Sequence, residues 1–190
     1  GKQARTQLLA VCKVRNITKI HVYSRDAAKR KAFAEEMTPL CGVEVTPVDT
    51  PEQAARGLDI VVTATGSREP VLLGDWVADG AHLNVIGSNF LAKTEVDVNV
   101  FRRTNVVTVD SKDQARLEAG DFVAAIREGV LSWANVLEFS QFHVGRYPGR
   151  TSPHQVTMFK SLGLGIEDVA VAVRLVDLAR KQGVGRELPI

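Results

Sequence analysis

Over residues 3 to 14, QARTQLLAVCKV, the residues Ala4, Leu8 and Val11 fall on one stripe while Gln7 and Lys13 turn away. That is the 3.6-residue spacing of an amphipathic helix. After Asn16 the run TKIHVYSRD alternates and is rich in β-branched and aromatic residues, with Ile20 and Val22 facing one way, and predicts a strand. A second helix is predicted over 26–37, then a short strand from Gly42 to Pro47. TPEQAARG follows as a predicted helix, with Thr50 as N-cap and Pro51 at its first position. LDIVVTAT is continuously apolar before its polar end, as a strand covered on both faces requires. Further strands are predicted at HLNVIG and NVVTVD. Strands alternating with helices argue for an α/β fold with a doubly wound, mostly parallel, Rossmann-like sheet. From about Ser111 the pattern turns mainly helical, and Ile166 to Lys181 builds a broad apolar face with Val169, Val173, Val176 and Leu178 that needs a partner surface.

Composition sharpens this picture by exclusion. With 45% hydrophobic residues the chain supports a real core, so disorder is excluded. A formal charge of +2 leaves no electrostatic footprint for nucleic acid or an anionic membrane. No stretch approaches the roughly 18 apolar residues of a membrane span. Cys12 and Cys41 have no neighbour at metal-ligand spacing, so no metal is expected and two reduced thiols in a cytoplasmic protein are the expectation.

In an open parallel sheet the ligand lies beyond the carboxyl ends of the strands. Here that singles out Gly1 to Gln3, Ser24 to Asp26, Thr63 to Ser67 and Gly87 to Asn89. A glycine ahead of the first helix leaves free backbone N–H groups and a positive dipole end for a pyrophosphate. Tyr23-Ser24-Arg25 follows the next strand about 20 residues on, where dinucleotide folds discriminate the ribose. Ser24 and Arg25 can both donate to a 2′-phosphate, whereas an acidic residue there would favour the free 2′-hydroxyl. NADP(H) is therefore preferred and NAD(H) remains possible, with Asp26 assigned to capping the following helix. The small residues of TATGS admit a ribose or nicotinamide, but equally suit an ordinary strand exit. His82 has the ordinary reading of a satisfied structural histidine. Lys160-Ser161 reads by itself as a solvated cation and a cap.

GKQARTQL, HVYSRDAAKRKAFAEE, VVTATGSREPVLLGDWVADGAHLNVIGSN, KTEVD, VVTVDSKDQARLEAGD, GRYPGRTSPHQVTMFKSLGLGIEDVA and ARKQGVG, in that order, resemble the ornithine cyclodeaminase/mu-crystallin family over essentially the whole chain. The resemblance implies a Rossmann domain over 1–160, truncated at its N-terminus, and a C-terminal helical segment over 161–190. That segment would pack on a missing N-terminal substrate and dimerisation domain, making the protein a homodimer. It further implies cofactor roles for Gly1, Lys2, Gln3, Ser24, Arg25, Thr65, His82, Leu83, Asn84, Val85, Lys93 and Ser161. Leu162 matches a position that touches substrate in the cyclodeaminases.

The catalytic aspartate of the cyclodeaminases matches Asn89, and a carboxamide cannot accept a proton at neutral pH because it has no titrating form in that range. The departure favours the family's ketimine reductase, pyrroline-carboxylate reductase and alanine dehydrogenase branches, which need only orientation at this position. The implied activity is therefore an NAD(P)H-dependent oxidoreductase of a small amino or imino acid. Asn89 would orient the substrate, and Lys93 would serve both catalysis and cofactor contact. The alternatives are a cyclodeaminase with tightly bound NAD and a non-catalytic binder of NADPH and a small ligand.

Overall fold

A computed structural model of the chain describes every residue except Glu187, Pro189 and Ile190. In chain order the elements are α1 (Lys2–Val14), β1 (Ile20–Val22), α2 (Ala27–Cys41), β2 (Val45–Pro47), β3 (Ile60–Thr63), β4 (His82–Val85), α3 (Val98–Arg103), β5 (Thr104–Val109), α4 (Lys112–Glu118), α5 (Gly120–Arg127), β6 (Val136–Glu138), α6 (Phe139–His143), β7 (Val156–Lys160) and α7 (Gly165–Gln182). All strand pairs are parallel, as the alternating pattern requires. Five strands form one sheet in the order β3-β4-β7-β5-β6, and β1 pairs with β2 in a separate ribbon.

The helix signals act locally as their chemistry dictates. Asp26 caps α2 by accepting from the Lys29 N–H at 3.0 Å, and Gly42 ends the helix in the left-handed region at φ 67°. Phe33, Ala34 and Met37 of α2 pack on Ile20 and Val45, and Ala4, Leu8, Leu9 and Cys12 of α1 close this smaller core. The main core gathers Leu83, Val85, Val107, Val109 and Met158 from the sheet with Phe122 from α5. Burying a ring such as Phe122 contributes about 1.5–3 kcal/mol.

Three expectations need correction. TPEQAARG is a run of turns, because most of its backbone bonds span three residues and Gly57 turns left-handed at φ 71° before an α-helix is established. LDIVVTAT is not covered equally on both faces. β3 is a sheet edge, with Val61 and Thr63 buried and Ile60 and Val62 half-buried. Finally, the mainly helical reading after Ser111 passed over β6 and β7, and β7 is the central strand of the five. Its short VTMFK alternation, with Val156, Met158 and Lys160 buried, is hidden by the charge at its end.

The registers align Thr63, Val85, Lys160, Val109 and Glu138 in one row across the sheet. The loops beyond that row therefore leave from one edge.

Candidate functional site

The row puts Thr65, Gly87, Leu162 and Ser111 each two residues beyond the sheet. α1 runs antiparallel to β4, because its Gln7 meets Asn84 late in that strand while Arg15 lies near His82 at its start. Gly1, Lys2 and Gln3 thus stand exposed at the same edge as the strand tips. Gly1 at the α1 N-cap offers no side-chain cap and the first turn carries no acidic residue, a pattern that suits an anion.

Behind this edge lies a buried polar clasp. Glu95 is fully buried and accepts from the Thr63 hydroxyl at 2.9 Å, the Thr65 N–H at 2.6 Å and the Gly87 N–H at 2.7 Å. Its own N–H donates to Asp121 Oδ1 at 2.5 Å. Asp121 Oδ2 faces the ammonium of Lys160 at 3.0 Å through charge alone, with no directed hydrogen bond. Lys160 Nζ donates to the Ser88 carbonyl. Lys160 is fully buried, so its reading as a solvated cation is corrected. On the other flank Asp110 Oδ2 accepts from the Leu162 N–H at 2.6 Å and the Gly163 N–H at 2.8 Å, with the Ser161 hydroxyl at 3.4 Å.

Each predicted residue has a definite place. Thr65 is exposed at the β3 tip. Asn89 is exposed four residues beyond β4, on a loop whose neck is closed by the Ser88 hydroxyl donating to the Lys93 carbonyl at 3.0 Å. The Lys93 ammonium sits 4.8 Å from the Phe90 ring centroid. Ser24 is half-buried, and its carbonyl accepts from Arg30 at 3.1 Å. Arg25 is exposed and makes no ion pair among the described residues. Ser161 and Leu162 are half-buried on the loop held by Asp110.

The β4 positions divide by face and by end. Leu83 and Val85 point into the core. His82 lies at the strand's opposite end, bonded through Nδ1 to the Thr157 hydroxyl at 2.7 Å and through Nε2 to Asn84 Oδ1 at 3.1 Å. Burial, reinforced by the Arg150 and Arg15 charges, holds its pKa below the usual imidazole range and outweighs the Asn84 bond. Asn84 Nδ2 reaches Gln7 Oε1 at 3.4 Å, which ties α1 to the strand.

A groove of about 410 Å³ adjoins the Asn89 loop and is lined by Arg68, Lys93, Thr94, Val96, Val123 and Arg127 among others. It includes Lys93 but none of Gly1 to Gln3, Ser24, Arg25 or Thr65. Among the described residues no cluster of His, Cys, Asp or Glu is arranged to hold a metal, and no helix is long and apolar enough to cross a membrane.

Glu95, Asp110, Asp121 and Lys160 are the site residues that sequence reasoning missed. An acid directly after an apolar strand (Asp110) and a lysine in phase with buried Val156 and Met158 were the available signals.

A five-stranded parallel sheet whose tip loops leave from one edge, beside the N-terminus of α1, is the doubly wound arrangement in which ligands lie beyond the carboxyl ends of the strands. The profile of the ornithine cyclodeaminase/mu-crystallin family matches residues 1–183, and the chain belongs to that family. It is 34% identical over 190 residues to a Delta(1)-pyrroline-2-carboxylate reductase of Bacillus cereus, covering 99% of this chain and 58% of that protein. The structure of Thermococcus litoralis Delta(1)-pyrroline-2-carboxylate reductase with NADH and L-proline superposes with a TM-score of 0.93 at 37% identity, again over 99% of this chain and 58% of that one. A probable ornithine cyclodeaminase from Bordetella pertussis gives a TM-score of 0.88 at 31% identity, over 98% and 59%. The chain thus spans a little over half the length of these relatives.

Proposed function

We propose that this chain is the nucleotide-binding part of an NAD(P)H-dependent oxidoreductase acting on a small amino or imino acid. The observation that carries the reading is the placement of Asn89, an exposed neutral amide on the edge shared by Thr65 and the α1 N-terminus. The residues present suit a dinucleotide. The glycine N-cap and the lack of an acidic residue in the first turn of α1 suit a pyrophosphate, and Gly66 leaves open space beside Thr65. When bound, the dihydronicotinamide supplies the hydride. Asn89 then orients the substrate by hydrogen bonding without itself taking a proton, and Lys93 brings positive charge to the same loop. The pyrroline-carboxylate reductases among the relatives support a cyclic imine or a 2-oxo acid with ammonia as the substrate class.

The preference for NADP(H) rests on Ser24 and Arg25. The arginine is free of ion pairs among the described residues, and its guanidinium can pair with a 2′-phosphate. The Thermococcus relative was solved with NADH, so the two cofactors must be compared directly. Parallel titration should show tighter binding of NADPH than NADH, and Arg25→Ala should remove roughly 1.5–3 kcal/mol of that difference, the worth of a charged hydrogen bond. Equal affinities in the wild type would remove the argument. Steady-state NADPH oxidation over a panel of cyclic imines and of 2-oxo acids with ammonia tests the activity. Ammonia release from ornithine by the wild type would instead select the cyclodeaminase, and no turnover with any substrate would select a pure binding protein.

The same proposal includes the division near residue 160 and a homodimer in the cytoplasm. α7 keeps Ile166, Val169, Val173 and Val176 exposed, a stripe that a further domain of the whole protein would cover. Sedimentation of the whole protein at dimer mass, and loss of that dimer when the expected N-terminal domain is removed, are the expected results.

A further inference from the structure

Glu95, Asp121 and Lys160 do something an apolar core could not. Burying carboxylates and an ammonium is costly, and apolar residues of similar volume are often as stable or better. What these three side chains add is aim. The Gly87-Ser88 peptide stretch, immediately before Asn89, is gripped at both ends: the Gly87 N–H by Glu95 and the Ser88 carbonyl by Lys160. The two grips are joined, since the Glu95 N–H bonds Asp121 and Asp121 faces Lys160. The same Glu95 carboxylate holds the Thr65 N–H, so the β3 and β4 tips are fixed relative to one another by a single side chain. A Cβ on Gly87 would overlap the Thr65 backbone and Glu95 Oε1, which shows how closely the tips are drawn together.

We infer that Glu95, Asp121 and Lys160 are positioning residues that set the spacing of Thr65 and Asn89 at the ligand edge. None of the three lies exposed at that edge, and all act through the backbone they hold. The inference rests on the proposed nucleotide reading for its binding readout, but its structural readout is independent of it.

The test compares Glu95→Gln with Val136→Ala, a buried β6 substitution remote from the clasp, at matched loss of Tm. Glu95→Gln replaces an acceptor with an amide N–H₂ that opposes one of the three donors. Amide exchange at Thr65 and Gly87, measured without nucleotide, should quicken at least tenfold in Glu95→Gln, and the NADPH Kd should rise at least tenfold. In Val136→Ala both should stay within about twofold. If Glu95→Gln does not fold, Thr63→Val removes one hydrogen bond to the same carboxylate and should show the same pattern to a smaller degree. Equal effects in the two matched variants, or unchanged exchange at Thr65 and Gly87, would overturn the inference. Quickened exchange in a protein whose wild type binds neither NADPH nor NADH would support the inference and overturn the nucleotide reading.

Discussion

Replacing Gly87 by alanine should be among the most damaging single-methyl additions in the molecule. The reason is space and not backbone freedom, because Gly87 does not have the left-handed φ seen at Gly42 or Gly163. Its Cβ would lie under 3 Å from the Thr65 backbone N and O and from Glu95 Oε1, none of which is the far end of a flexible chain free to swing away. To relieve the overlap the β3 and β4 tips must part, which breaks the Thr65 and Gly87 N–H bonds to Glu95. Overpacking costs about 1–3 kcal/mol, and hydrogen bonds to a charged group about 1.5–3 kcal/mol each, so a total on the order of 4 kcal/mol is reasonable after partial relaxation. At about 2–4 °C per kcal/mol for a chain of this size, Tm should fall by roughly 8–16 °C. Gly66→Ala is the matched control, because a Cβ there meets nothing within 4 Å and its φ is not left-handed. It should stay within about 0.5 kcal/mol of wild type. Thermal and urea unfolding of both variants measure this directly. A Gly87→Ala protein within 2 °C of wild type, by the same estimate under about 1 kcal/mol, would refute the tight junction between the tips.

Lys160→Met keeps the length of the side chain but leaves Asp121 buried without its counter-charge, and should cost about 3–5 kcal/mol in urea unfolding. A loss under about 1 kcal/mol would mean that the pair is not coupled as described. Asp26→Ala removes the cap that accepts from Lys29 and should cost about 1 kcal/mol, read as a lower midpoint with unchanged m-value. His82 has a folded pKa below its ordinary value of about 6.5, so protonation favours the unfolded chain. Its stabilising contribution is complete above about pH 6.5 and is lost as pH falls from there through the lower folded pKa. Tm measured from pH 7.5 to 5 should decline in wild type, and His82→Gln should flatten that decline. Identical slopes would show that another group carries it.

Most of the fold was legible because its signals are local. The 3.6-residue stripe of α1, the Asp26 cap and the apolar run of β3 need no knowledge of distant contacts. β7 was not legible because its partners, β4 and β5, lie more than 50 residues away and its alternation spans only five residues. Asn89 and Thr65 were expected beyond the strand tips from their place after a strand, and both lie exposed there. Glu95, Asp121 and Lys160 were not found because charge on its own predicts solvent. Only the three-dimensional meeting of two carboxylates, one ammonium and the ends of several strands makes their burial tolerable. TPEQAARG shows the reverse error, with correct start chemistry at Thr50 and Pro51 but too few residues before Gly57 to propagate a helix.

The shared row of Thr63, Val85, Lys160, Val109 and Glu138 also governs how this half of the protein can diverge. Deleting one residue inside Val156–Lys160 would flip the facing of every side chain downstream of it in the strand, Lys160 included, and withdraw the ammonium from Asp121. Adding or removing residues at the exposed positions Gly145 to Pro148, ahead of the Arg150 anchor, disturbs no such alignment. Lineages descended from this chain should therefore keep strand lengths fixed while their turns lengthen and shorten freely.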